Sequence, residues 1–430
     1  MTDSSIVGRG NREGARLFRA WFDDLTQAAE RGERAAYVFV MGSMNEILKS
    51  FDFHVTFPEI NSLQLAVRRV AHEYLREAED YGYSPDICGY VKADVATQLR
   101  KGQHPMGRIP KPSLSVYTNA CNTYVKWAEI WERMHKVPIF TVDIPGHRQL
   151  GLHTRPGDPD FDADRAYVEV QIRELITLCE QVSGKRFDID RLRETMRHTN
   201  TMSRCWKRIL ELNSSSPSVF NALTDGTIYL GIANGLRGTL EGANYFEDLV
   251  EEMEYKSANN IGTQVDEKHR LTFVGVPCYP IFRRFDELFS DWGGTFVNST
   301  YLWFASGGSN CGYQYDLTDP LASLAEGYLL TVRDAMDAMF DQTTMIRDAI
   351  DRFGVDGVVY HPIKSCRTVS TGLADSRRAL MEETGISSLF IESDMMDRRV
   401  VSEAQLKNRI DAFFEGLISK KRLHSAAGGH

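Results

Sequence analysis

The stretch "SLSVYTNACNTYVKWAEIWERMHKVPIFTVDIP", residues 113–145, decides the fold. Its two ends, "SLSVYTNA" and "VPIFTVDIP", are short apolar runs rich in β-branched and aromatic residues, so they read as buried strands. The segment between them has helical periodicity and predicts a helix over 122–136. Strand, helix, strand in 33 residues is a β-α-β unit. It implies parallel strands joined by a right-handed crossover.

The same grammar extends in both directions. Residues 12–31 predict a helix, and "AAYVFVMGS" (35–43) predicts a buried strand bounded by Gly42. Residues 61–81 show helical periodicity after a capping Asn61. From about 160 to 262 the pattern changes to long amphipathic helices, with Gly184 closing one and Asp188 or Asp190 capping the next. Alternation resumes at 269: "HRLTFVGVP", "GTFVNSTYLW", "DGVVYHPI" and "SSLFIESD" predict strands. A long helix is expected over 320–353, and a closing helix follows Ser402. The expected organisation is an N-terminal helical segment (1–34), a first α/β domain (35–160), a helical linking region (161–262), a second α/β domain (263–424) and a disordered tail (425–430). The first few residues are also expected to be mobile.

A chain of 430 residues with 42% hydrophobic and 25% charged residues is ordinary for a globular protein of two or three domains. Its net charge of −9 and lack of a basic run argue against non-specific nucleic-acid binding. No apolar run reaches the roughly 20 residues of a membrane span, and the N-terminus lacks the apolar core of a signal peptide. The protein is therefore expected in the cytoplasm. The seven cysteines are odd in number and widely spaced, so reduced thiols are expected rather than a disulfide framework.

Three of those cysteines share one setting. Cys121 follows the first strand of the opening stretch and precedes its helix. Cys366, in "DGVVYHPIKSCRTVS", follows another strand and precedes another helix. Cys88, in "YSPDICGYVKADV", stands just ahead of a helical run. In open α/β sheets ligands bind beyond the carboxyl ends of the strands. A helix start favours negative charge and lowers a thiol's pKa. The position therefore suits an anionic iron–sulfur cluster. Spacing adds nothing: Cys88 and Cys121 are 33 residues apart, Cys366 follows 245 later, and buried unreactive thiols satisfy the pattern equally well. Cys179 and Cys205 lie in helical patterns and read as packing residues, while Cys278 and Cys311 are loop thiols near the same edge. Glu46, early in a short helix after the first strand, offers a carboxylate that can serve as acid, base or acceptor, or simply complement a helix dipole. There is no G-x-x-x-x-G-K-[ST] loop, no G-x-G-x-x-G after a strand, no H-E-x-x-H and no G-x-S-x-G.

Six pieces in order, "FPEINSLQ", "DICGYVKADV", "CNTYVKWAEIWERMH", "VSGKRFDIDRLRE", "IKSC" and "FIESDMMDRRVVSEAQLKNRIDAF", resemble the benzoyl-CoA reductase/2-hydroxyacyl-CoA dehydratase family over residues 35–415. The resemblance implies two Rossmann-like, doubly wound, mostly parallel domains with a helical segment between them. It implies a [4Fe-4S] cluster held by Cys88, Cys121 and Cys366, with Glu46 as a loosely mapped catalytic acid near the substrate. It implies a heterodimer with a related smaller subunit and a separate iron–sulfur ATPase activator that spends ATP to deliver single electrons. The implied reaction is reduction of an aromatic acyl-CoA to a cyclic dienoyl-CoA. The alternatives are dehydration of an (R)-2-hydroxyacyl-CoA through a ketyl radical, or a non-catalytic electron-relay or scaffold role. Two positions depart from the family pattern: Asp397 is followed by Arg398 rather than proline, and Cys88 by Gly89. Lys92, Arg100 and Lys364 are basic residues placed to meet CoA phosphates.

Overall fold

The computed structural model describes residues 6–148, 153–340 and 342–427. It holds two four-stranded sheets, both wholly parallel. The strands of the first are β1 (Ala35–Val38), β2 (His54–Thr56), β5 (Pro112–Thr118) and β6 (Ile139–Val142), in the order β2-β1-β5-β6. A two-stranded hairpin, β3 (Gln103–His104) with β4 (Gly107–Arg108), lies apart from it. The second sheet comprises β7 (His269–Gly275), β8 (Gly294–Ser299), β9 (Gly357–His361) and β10 (Ser387–Phe390), in the order β10-β9-β7-β8. The opening stretch folds as expected: β5, the helix Asn122–His135 and β6, with Val116 beside Phe140 in parallel register. Helices cover both sheets, so strands such as β1 and β9 are buried along their whole length.

The first core is aromatic. Phe39, just past β1, stacks on Tyr124 with ring centroids 3.8 Å apart and lies 5.2 Å from Trp131. The indole N–H groups of Trp127 and Trp131 both donate to buried Asp94, at 2.7 and 2.6 Å. Burial raises the Asp94 carboxyl above its ordinary range, against those hydrogen bonds. The stretch between the sheets is helical, with Pro159–Ser183, Ile189–Leu212, Thr224–Gly235 and Leu240–Ala258. Gly184 ends the first of these at φ 70°, and Asp188 caps the second by accepting from the N–H groups of Asp190 and Arg191.

Two elements differ from the sequence reading. The single helix expected over 61–81 is two, Pro58–Val67 and Ala71–Asp80, because Arg69 adopts φ 64° and interrupts the ladder. The first starts after Phe57 with Pro58 at N1, so Asn61 is interior rather than a cap. The long helix over 320–353 is broken by a π-helical turn at Leu329–Arg333, between Pro320–Tyr328 and Asp334–Phe340, and resumes at Gln342–Phe353. The closing helix runs from Glu403 to Ala427, so it continues into the stretch 425–430 expected as a disordered tail. The last three residues of that tail and the first five of the chain, where a mobile start was expected, lie outside the described residues. Among the described residues, no helix is long and apolar enough to cross a membrane.

Candidate active site

The carboxyl ends of both sheets supply the site. β5 leads to Cys121, β9 to Cys366, β7 to Tyr279 and β8 to Tyr301. Cys88, Cys121 and Cys366 each stand at a helix N-cap, ahead of Gly89–Leu99, Asn122–His135 and Arg367–Ser370. The structure brings all three together. Cys88 is in electrostatic contact with Cys366 and Cys121, and Cys366 with Cys121. The Cys121 sulfur lies 3.8 Å from the Thr368 hydroxyl, two residues beyond Cys366. A Cβ added at Gly89 would stand 3.4 Å from Ser365 Oγ and 2.7 Å from Met396 Cβ. Gly89 is therefore required for the Cys88 turn to sit against Met396, with Ser365 of the Cys366 turn in ordinary contact beside it.

Asp394 ties that corner. Its Oδ2 accepts from Ser365 N–H at 2.9 Å, and its Oδ1 accepts from Met396 N–H at 2.8 Å and Asp397 N–H at 2.9 Å. The motifs "IKSC" and "SDMMD" are thus two halves of one hydrogen-bonded turn. Asp397, in the place where the family pattern departs, holds Arg399, and Arg399 pairs with Glu79 at 2.7 Å.

The thiols do not behave as helix starts alone predict. Burial pushes Cys88 well above its ordinary range, reinforced by Cys366, although the N–H groups of Tyr90 and Val91 favour its thiolate. Burial likewise pushes Cys366 up to about 11. Loss of water outweighs the helix starts. The Cys88 and Cys366 sulfurs therefore remain protonated unless a cation replaces the protons. Around them, the Tyr90, Tyr279 and Tyr301 hydroxyls bond to one another, and Ser365 Oγ is buried with no hydrogen-bond partner among the described residues. Three free thiols in one focus fit an iron centre with sulfur ligands. Cys179 and Cys278 are wholly buried in apolar clusters, and Cys205 and Cys311 belong to the packing of the second, so none of these joins the focus.

One acidic residue beside the thiols was not singled out by sequence reasoning. Glu59, in "FPEINSLQ", is buried in the first turn of Pro58–Val67. Its Oε2 accepts from Val40 N–H at 2.7 Å and its Oε1 from Tyr124 Oη at 2.9 Å. Burial raises its pKa to about 7 against those two hydrogen bonds. It is in electrostatic contact with Cys366 and with Tyr90, Tyr279 and Tyr301. The sequence signal, an acid just after Pro at a helix start, reads equally as complementing the helix dipole.

Glu46 stands elsewhere. Wholly buried, its Oε1 accepts from Arg237 Nε at 2.7 Å and Thr199 Oγ1 at 3.0 Å, while Oε2 has no partner. Arg237 also reaches Tyr315 Oη at 3.2 Å and lines a cavity of about 100 Å3 between β1's exit and the second sheet. Met202, Trp206, Phe246, Phe304 and Tyr328 share that wall. Val40 borders it too, so one peptide joins this cavity to Glu59. Replacing Glu46 by Gln leaves Arg237 beside a neutral amide. The expected cost is about 1–3 kcal/mol, reduced from a fully buried pair because Arg237 reaches solvent. Thermal unfolding of the E46Q chain measures it, and an unchanged midpoint would rule the ion pair out as a structural element.

The basic residues sort differently from the sequence reading. Lys92 is buried and donates to Glu79 at 2.9 Å and to Pro85 O at 2.7 Å, and Arg100 is paired with Glu77 at 2.6 Å. Both are structural because carboxylates and a carbonyl already occupy their donors. Lys364 is exposed beside Gly89 and Ser365. A larger basic cleft of about 950 Å3 opens where Arg69, His72, Arg76, Arg283, Arg284, Arg398 and Arg399 converge. Met396 and Pro280 form its floor. Met396 touches the Cys88 turn and Pro280 adjoins Tyr279, so the cleft backs onto the thiol focus.

Residues 41–417 match the family model described as 2-hydroxyglutaryl-CoA dehydratase, D-component. The B-type benzoyl-CoA reductase subunit of Thauera aromatica is 31% identical over 93% of this chain and 92% of its own length. The (R)-phenyllactyl-CoA dehydratase alpha subunit of Clostridium sporogenes is 27% identical over 92% of each chain. The (R)-2-hydroxyglutaryl-CoA dehydratase alpha subunit of Acidaminococcus fermentans is 23% identical over 92% of this chain and 94% of its own. These relatives are subunits of enzymes, and a match of this extent means that the chain belongs to the 2-hydroxyglutaryl-CoA dehydratase D-component family.

Proposed function

We propose that this chain is the iron–sulfur subunit of an enzyme that reduces an aromatic acyl-CoA to a cyclic dienoyl-CoA. The observation that carries the proposal is the convergence of Cys88, Cys121 and Cys366 at three helix starts beside Glu59, a carboxyl held near neutrality. When bound there, a [4Fe-4S] cluster supplies single electrons at low potential.

The chain's own residues provide the rest. Ring reduction consumes two electrons and two protons. Glu59, half protonated near pH 7, holds a proton at the edge of the site, and its contact with Tyr124 keeps it in place. The cavity of about 100 Å3 beside Val40 is walled by Trp206, Phe246, Phe304 and Tyr328, which favours an aromatic acyl group. Glu46 acts as a positioning residue by holding Arg237 at that wall. The CoA phosphates are assigned to the basic cleft, where exposed Arg69, Arg76 and Arg283 have no ion pair among the described residues. The electrons come from a separate ATP-driven iron–sulfur protein, consistent with the missing nucleotide-binding loop. A related smaller subunit completes the heterodimer.

Electron counting tests the reaction. With the partner subunit and a low-potential donor, an aryl-CoA should consume two electrons per product. Turnover of a 2-hydroxyacyl-CoA with only catalytic electrons would replace this reading by the dehydratase one. No turnover of either, with the acyl group enclosed by the partner alone, would leave the chain as a scaffold.

A further inference from the structure

Among residues outside the thiol focus, one imidazole nitrogen meets three polar neighbours at once. His147, in the segment after β6, places Nε2 3.1 Å from Asp334 Oδ1, 3.1 Å from His153 Nδ1 and 3.3 Å from Asp337 Oδ2. An imidazole nitrogen carries at most one proton, lying in the ring plane, so it can satisfy only one of these neighbours. The ligand atoms of His147, His153 and Asp334 all lie within 4.8 Å of one another, close enough to share one ion. We infer that His147, His153 and Asp334 form a binding site for a divalent transition-metal ion of the zinc class, with the Asp337 carboxylate beside His147.

The surroundings are built for it. The side chains of His147 and Asp334 are each only 3% exposed. Asp334 and Asp337 lie three residues apart on the helix Asp334–Phe340, one turn of one face. The second oxygen of Asp334 accepts from Asn310 Nδ2 at 2.9 Å and pairs with Arg155 Nη1 at 3.1 Å. Those two donors orient the carboxylate so that Oδ1 turns toward His147, as outer hydrogen bonds do for metal ligands. Arg333 also approaches Asp334 Oδ1, at 3.6 Å. Two imidazoles and a carboxylate with no sulfur make a nitrogen–oxygen set that suits zinc, cobalt or nickel. Three protein ligands leave the fourth position to water or a further carboxylate.

The ion would clamp the segment after the first sheet to the helix that follows the π-helical turn Leu329–Arg333. Thr331 and Val332 of that turn line the aromatic cavity, so the clamp fixes one cavity wall. The inference does not depend on the proposed reaction.

Cobalt(II) tests it on the full chain, stripped with a chelator under anaerobic conditions. Cobalt held by the cysteine focus gives a near-ultraviolet thiolate band, and about one further equivalent should bind with the visible absorption of nitrogen–oxygen cobalt. That equivalent should persist in the chain with Cys88, Cys121 and Cys366 all replaced by alanine, and be lost when His153→Ala is added. His153 reaches solvent, and zinc should raise the unfolding midpoint of the triple-alanine chain but not of the same chain carrying His153→Ala. Cobalt bound by thiolate alone, nitrogen–oxygen cobalt retained undiminished in His153→Ala, or an absence of cobalt binding overturns the assignment.

Discussion

Serine at position 366 is expected to remove the iron centre and to lower turnover by on the order of 10³ or more, since one of three protein ligands is lost and the electron path with it. Far-ultraviolet circular dichroism should be unchanged, because Cys366 is half-buried at the start of a four-residue helix, at the edge of the first core. Serine at Cys121 should behave alike. Serine at Cys205, which lies in a helix and belongs to apolar packing, should retain iron and activity. Full iron and full turnover in both C121S and C366S would remove the ligand assignment altogether.

The second large effect concerns Glu59. Glutamine there keeps the size and an acceptor for Tyr124 but cannot give up a proton. Loss of a positioned proton donor is expected to lower kcat by roughly 10²–10⁴ while leaving iron content intact. Stability should move the other way at high pH. A carboxyl whose folded pKa of about 7 exceeds its unfolded value binds its proton more tightly when folded. Stability therefore falls as pH rises from about 4.5 through 7, and is fully present below the unfolded value. Glutamine cannot ionise, so the fall in unfolding midpoint between pH 5 and pH 8 should shrink in E59Q. An E59Q enzyme with ordinary kcat, or a pH slope equal to that of the parent, would show that Glu59 only packs.

Much of this architecture was legible in residue order. The β-α-β reading of 113–145 rests on period and composition, which survive burial unchanged, and β5, its helix and β6 follow it closely. The strand of only three residues at His54–Thr56 carried too little pattern to be recognised. The break at Arg69 was invisible because a non-glycine left-handed residue leaves no periodic trace. The π-helical turn at Leu329–Arg333 keeps its apolar pattern and differs only in hydrogen bonding.

The site was legible in part for a related reason. A helix start is a local feature, so Cys88, Cys121 and Cys366 could be placed at three of them. That their sulfurs share one space depends on contacts between segments hundreds of residues apart. Thiol ionisation depends on burial, a tertiary property, and there the local rule pointed the wrong way. Glu59 and Glu46 look alike in sequence, each an acid in the first turn of a helix after a strand. Only packing separates the one beside the thiols from the one paired to Arg237.

The central claim is that three distant thiols grip one inorganic centre. Iron and acid-labile sulfide counted in the chain purified without oxygen beside its partner subunit, with the Mössbauer spectrum, tests it most directly. The account predicts about four of each per chain in a single site, absent when Cys88, Cys121 and Cys366 are all alanine. Iron-free protein, or an iron count that survives the triple replacement, would contradict it.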